Sequence, residues 1–229
     1  MTQMQERIER IRNKIADAAI RAGSKPDDIT LIAVSKTRSA DEIRKVIDTG
    51  IVHIGENRVQ EALPKIDEIG AGPVWHMIGH LQSNKVKRAV EKFDWIDSVD
   101  SQKIAQLLSD QALNTGTVLK VLVQVNISRE VSKSGAALAE VRDLTRYVHN
   151  LDGLALRGLM TIGSLGASSE DKRAEFRRMR DLFDELSEDE IVGSCMKDLS
   201  MGMSGDFEIA VEEGATMVRI GTALFGERE

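Results

Sequence analysis

The sequence predicts an α/β fold, a single (β/α)8 barrel of the TIM type with an extra helix at its N-terminus. Three observations lead there. Eight short aliphatic runs read as strands, and stretches with apolar residues three and four apart separate them. Polar residues cluster where each strand would end, the side of such a barrel on which sites are built. The chain of 229 residues suits one domain spanning 1–229, with no linker, low-complexity tract or internal repeat to divide it. Alternation does not show closure, so an open doubly wound sheet stays as the competitor.

The elements follow in order. Ile8, Ile11, Ile15, Ala18 and Ala22 lie on one helical face that stops at Gly23, giving an amphipathic helix ahead of the first strand at 31–34. Ser39 and Glu42 have the spacing of a capping box and open a helix that closes at Gly50. Further strands are expected at 52–54, 74–78, 95–99, 118–125, 154–159, 197–200 and 217–220. Helical spacing recurs between them in Ile104, Leu107 and Leu108, in Leu138, Val141, Leu144 and Val148, and in Phe176, Met179, Leu182, Phe183 and Leu186.

Composition narrows the function. With 41% hydrophobic and 30% charged residues the chain is an ordinary globular protein, and 3% aromatics leave the interior to aliphatic side chains. A net charge of −6 argues against nucleic-acid and anionic-membrane partners, which reward clustered Lys and Arg. Lys85, Lys87 and Arg88 read as a solvated helix face. The lone Cys195 has no partner for an intramolecular disulfide and fits a reducing compartment. The N-terminal stretch mixes charge with aliphatics, unlike a signal peptide, and no run approaches a membrane span; a cytoplasmic protein is expected.

The strand ends carry Lys36, Glu56, Asn57, His76 to His80, Asp97, Ser98, Asn126, Thr161, Ser200 and Arg219. Lys36 closes the first strand, which would aim its amine across the barrel mouth. A surface lysine is the alternative. A lysine partly desolvated beside another cation has a lowered pKa and attacks carbonyls as the free amine. Two glycine-bearing turns, 200–205 and 219–223, follow the last two strands, where barrels commonly seat phosphate. There Gly221 would allow close backbone approach, and Ser204 and Thr222 would add hydroxyl donors. Ser204 as a plain N-cap beside plain turns is equally open. Asp206 counts against an anion unless its carboxylate turns away.

Arg219 reads either as a structural partner for a carboxylate or as a donor to a ligand. Asn57 with Gln60 has capping-box spacing, which is compatible with ligand contact. His76 and His80 are four apart on a strand and turn, where that spacing does not share a face, so no metal site is expected. No Ser-His-Asp order, Walker loop or G-x-G-x-x-G occurs, and no catalytic residue is assigned.

Six segments taken in order resemble the pyridoxal phosphate homeostasis protein family. They are Ala33-Val34-Ser35-Lys36, His53-Ile54-Gly55-Glu56-Asn57, the run from Trp75 to Lys85, Gly158-Leu159-Met160-Thr161, Leu199-Ser200-Met201-Gly202-Met203-Ser204 and Val218-Arg219-Ile220-Gly221-Thr222. The resemblance implies a barrel like the N-terminal domain of alanine racemase, holding pyridoxal 5'-phosphate (PLP) as an internal aldimine on Lys36. It implies phosphate near Ser204, Gly221 and Thr222, Arg219 at the pyridine nitrogen, and Asn57 and Met201 lining the pocket. His80 departs from the family pattern, which favours proline there. The implied protein is a monomeric carrier or buffer of PLP without robust catalysis, with PLP-dependent apoenzymes as candidate recipients.

A PLP-dependent amino-acid racemase is the alternative. Two-base racemisation needs a second proton-transfer residue opposite the lysine, which alanine racemases take as a Tyr from an additional β domain. Here the one tyrosine, Tyr147, lies in an expected helix, and the short stretch after Gly221 leaves no room for that domain. A cofactor-free Schiff-base aldolase fits Lys36 but leaves the glycine turns and Arg219 unexplained.

Overall fold

In a computed structural model, residues 2–128, 134–164 and 166–227 are described. Helix α1 (Gln3–Arg21) opens on a capping box, in which the Thr2 hydroxyl accepts from the Gln5 N–H while the Gln5 side chain accepts from the Thr2 N–H. The chain then alternates through β1 (Thr30–Val34), α2 (Ala40–Ile47), β2 (His53–Glu56), α3 (Val59–Ile69), β3 (Val74–Met77) and α4 (Val86–Lys92). It continues with β4 (Trp95–Val99), α5 (Gln102–Asn114), β5 (Leu119–Val125), α6 (Val141–His149), β6 (Leu154–Thr161), α7 (Ser169–Ser187), β7 (Asp198–Met203), α8 (Phe207–Glu212), β8 (Met217–Ile220) and α9 (Thr222–Phe225). The expected Ser39–Glu42 capping box opens α2.

Closure is decided by β1, which pairs in parallel with β2 on one side and with β8 on the other, Thr30 opposite Met217 and Ala33 opposite Ile220. The eight strands form a closed barrel in sequence order, which rules out the open sheet. Every strand is therefore covered on both faces, as parallel sheets require. Inside the barrel Ile32, Trp95, Leu122, Met160 and Met217 pack as a small apolar layer. The larger apolar layer lies between the strands and the ring of helices. Helix α1 buries Ile8, Ile11, Ile15, Ala18 and Ala19 and packs against α8 and α9. Ion pairs Lys14–Glu208 (2.6 Å) and Arg21–Glu212 (2.8 Å) flank that contact. Among the described residues no helix is long and apolar enough to cross a membrane.

Two local expectations are corrected. Strand β7 runs to Met203, past the expected end at 200, because its register against β8 shifts between Ser200 and Met203. Gly202 sits in this irregular stretch at φ +91°, where an added Cβ would stand 2.4 Å from the Ala210 Cβ, so only glycine lets α8 pack this closely. Asn57 does not form a capping box with Gln60. Helix α3 starts one residue later, with Arg58 in the cap position and no side-chain cap bond.

Candidate functional site

The end of β1 and the turn after β8 are neighbours because the two strands pair, with Ala33 opposite Ile220. Gly221 begins that turn, and a Cβ there would lie 3.4 Å from the Val34 carbonyl oxygen, two residues before Lys36. Ser204, which follows β7, reaches across to it: its Oγ accepts from the backbone N–H groups of Gly221 (3.2 Å) and Ala223 (3.3 Å). Ser204 is therefore no N-cap of α8, whose cap position is Asp206. It marks the point where two backbone donors converge, with the exposed Thr222 beside them. Such convergence is what an anionic oxygen needs.

Asp206, the group expected to oppose an anion, is turned away. Its Oδ1 accepts from the Met203 N–H at 2.6 Å, and its Oδ2 pairs with Lys172 at 3.2 Å. Both carboxylate oxygens are occupied within the fold, and Lys172 offsets the charge.

Arg219 is buried inside the barrel. One guanidinium nitrogen donates to Ser200 Oγ at 2.6 Å and another to the Thr161 carbonyl at 2.7 Å. Burial pulls its pKa down to about 10, while the charges of Asp97 and Asp206 favour the cation, so it is charged at neutral pH. The alternative of a structural Arg in a direct ion pair is not what the geometry shows, since both of these bonds go to neutral oxygens.

Lys36 departs from its expected environment. It lies exposed in the turn just beyond β1, not partly desolvated, and among the described residues no hydrogen bond or ion pair engages its amine. The cation nearby is Lys65, whose Nζ donates to the carbonyl of Ser35 at 2.9 Å. Asn57 stands just past β2. Its Oδ1 is buried with no hydrogen-bond partner among the described residues, an acceptor that a ligand donor would satisfy. It also lines a cavity of about 540 Å³ with Arg58, Gln60, His80 and Lys85, which Lys36 and the Ser204 turn do not line. Met201 is fully buried in the layer outside the strands, so its side chain is packing and any part in ligand contact falls to its backbone.

The remaining polar strand ends are joined inside the fold. His76 Nδ1 lies 3.1 Å from Asp97 Oδ1, and His76 Nε2 lies 2.9 Å from His53 Nδ1. The His76 ring stacks on Trp95 with centroids 5.2 Å apart. Ser98 donates to the Gly79 carbonyl and Thr161 to that of Val125. His80 is exposed and pairs with Asp100 at 3.2 Å, away from His76. Sequence reasoning gave Ser35 no role beyond its place in the Ala33-Val34-Ser35-Lys36 segment and missed Lys65, since a lysine within a helix carries no pattern that sets it apart.

The family described as alanine racemase, N-terminal domain, matches residues 1–229. The pyridoxal phosphate homeostasis protein of Pseudomonas aeruginosa is 44% identical over 230 residues, covering 100% of this chain and 97% of its own length. That of Escherichia coli K12 is 43% identical, covering 100% and 98%. Among solved structures, PipY of Synechococcus elongatus with PLP bound superposes with a TM-score of 0.83 at 37% identity, over 98% of this chain and 100% of PipY. On these grounds the chain belongs to the pyridoxal phosphate homeostasis proteins, within the family of the alanine racemase N-terminal domain.

Proposed function

We propose that the whole chain, 1–229, is one PLP-binding unit that carries or buffers the cofactor in the cytoplasm as a monomer, with PLP-dependent apoenzymes as recipients. The observation that carries this reading is the meeting of the Lys36 turn with the donors of Gly221 and Ala223, gathered by Ser204 beside Val34. It is supported by full-length relatives named for PLP homeostasis and by the PLP-bound PipY structure.

Bound PLP would supply an aldehyde carbon open to an unprotonated amine. Lys36 would be that amine, with no hydrogen bond or ion pair to it among the described residues. Ser204, Thr222 and the backbone of the Gly221 turn would hold the phosphate, and Asn57 would offer its buried oxygen to a donor on the ligand. Met201 contributes through its backbone. Arg219, charged and fixed by Ser200 and Thr161, would offer only donors to a pyridine nitrogen, which would leave that nitrogen unprotonated and the ring a weaker electron sink. Tyr147 is bonded to Gln106 between α6 and α5, on the outside of the barrel, and does not face Lys36 as a second base. Both features favour a carrier over a racemase.

Reconstitution with PLP followed by dialysis tests the reading. One retained cofactor per chain is expected, together with alanine turnover far below roughly one per second, a common floor for enzymes. No retained cofactor, or turnover at that rate, overturns it.

A further inference from the structure

Ser35, the residue before the exposed Lys36, is fully buried and held on every side. Its N–H donates to the Gly55 carbonyl at 3.0 Å, and its Oγ donates to Glu56 Oε1 at 2.6 Å. Its carbonyl accepts from Lys65 Nζ at 2.9 Å and from the Arg38 N–H at 3.0 Å. Lys65 also reaches the same Glu56 oxygen at 2.7 Å, so the carboxylate from β2 and the ammonium from α3 close a ring of contacts around one residue.

That arrangement is a poor device for stability. Glu56 is completely buried and the Lys65 side chain is 13% exposed, and a buried ion pair recovers little beyond its own desolvation. The second Glu56 oxygen, Oε2, has no hydrogen-bond partner among the described residues, which adds to the cost. What the pair does accomplish is geometric. Thr37, just after Lys36, has φ +66°, the left-handed region that a β-branched residue avoids unless its surroundings impose it. The grip on Ser35 from one side and this strained residue on the other fix the direction in which the Lys36 stem leaves the backbone.

We propose that Glu56 and Lys65 are positioning residues, which set the Ser35–Lys36–Thr37 turn so that the Lys36 amine meets the PLP aldehyde. The inference rests on the reading of Lys36 as the covalent anchor. Lys65 has its own amine committed to two acceptors and acts through Ser35, not on the cofactor.

The test separates capture from phosphate binding. Wild type, Lys65→Met, Lys65→Arg and Ser35→Ala are mixed with saturating PLP, and the rate of borohydride-trapped attachment at Lys36 is followed by peptide mass. Affinity for pyridoxamine 5'-phosphate, which lacks the aldehyde, is measured in parallel. Lys65→Met should slow capture by about tenfold or more, since misplacing a reacting group by about 1 Å costs up to about a hundredfold. Its pyridoxamine phosphate affinity should be unchanged, and Lys65→Arg should recover part of the rate. Ser35→Ala, which deletes the hydroxyl's bond to Glu56 and its longer bond to the Gly55 carbonyl, should slow capture to a lesser degree and keeps the test usable if Lys65→Met does not fold. Wild-type capture rates in the Lys65→Met and Ser35→Ala proteins overturn the proposal. So does a parallel loss of capture and pyridoxamine phosphate binding, or trapping on Lys65 itself. Failure of wild type to be trapped at all sinks instead the assignment of Lys36 as anchor.

Discussion

Ser204 and Thr222 provide the sharpest residue-level separation of the two parts of the site. Ser204→Ala with Thr222→Val removes the hydroxyl that accepts from the Gly221 and Ala223 N–H groups and the exposed hydroxyl beside it, while leaving Lys36 in place. Each charge-assisted hydrogen bond to a phosphate is worth about 1.5 to 3 kcal/mol, so PLP affinity should fall by roughly tenfold to a hundredfold per bond. Affinity for unphosphorylated pyridoxal should change far less. Equal weakening of both ligands, measured by fluorescence titration, contradicts the placement of the phosphate. At this scale the sequence was informative where chain position and residue type coincide: a lysine after an apolar run, an arginine ending the last strand, a serine beside glycines. It was silent on environment. The exposure of Lys36, the outward burial of Met201 and the salvage of Asp206 by Lys172 depend on residues far apart in the chain.

Among the elements, β7 and α8 are where packing places the strictest demand on sequence. Gly202→Ala would force a Cβ into the Ala210 Cβ while also imposing a left-handed backbone on alanine. Overpacking of this kind costs about 1 to 3 kcal/mol, so thermal unfolding should occur several degrees earlier. Because Ser204 follows this stretch, PLP affinity should fall with it; a variant with wild-type stability and affinity contradicts the account. Strand cores were legible from short aliphatic runs, and α1 and α2 from their apolar spacing and caps. The true end of β7 was not, because a register shift between neighbouring strands leaves no trace in one strand's residues. Helix α3 was obscured in the same way, with Pro64 inside it and no side-chain cap at Arg58.

Across the whole molecule, the barrel encloses a polar chain from His53 through His76 to Asp97. Burial, reinforced by the nearby His76, lowers the pKa of His53 from 6.5 to about 4; Lys120 adds to this, while Asp97 and Asp94 oppose it. Between those values the unfolded chain binds a proton that the folded one refuses. This contribution to stability is therefore complete above about pH 6.5 and is lost as pH falls toward about 4. The unfolding temperature should decline over that window, and His53→Asn should flatten the decline; an unaltered profile in the variant contradicts the assignment.

The eight-strand closure itself was readable as alternation, but only the β1–β8 pairing proves it, and that pairing also brings the end of β1, just ahead of Lys36, beside the turn that begins at Gly221. The central claim is that Lys36 anchors PLP at this junction. Borohydride reduction of the PLP-loaded protein, followed by peptide mass analysis, tests it most directly. The account predicts a reduced cofactor adduct on Lys36 alone, with the visible absorbance band and the adduct both absent from Lys36→Ala. An adduct on any other lysine, or none on the loaded wild type, would contradict it.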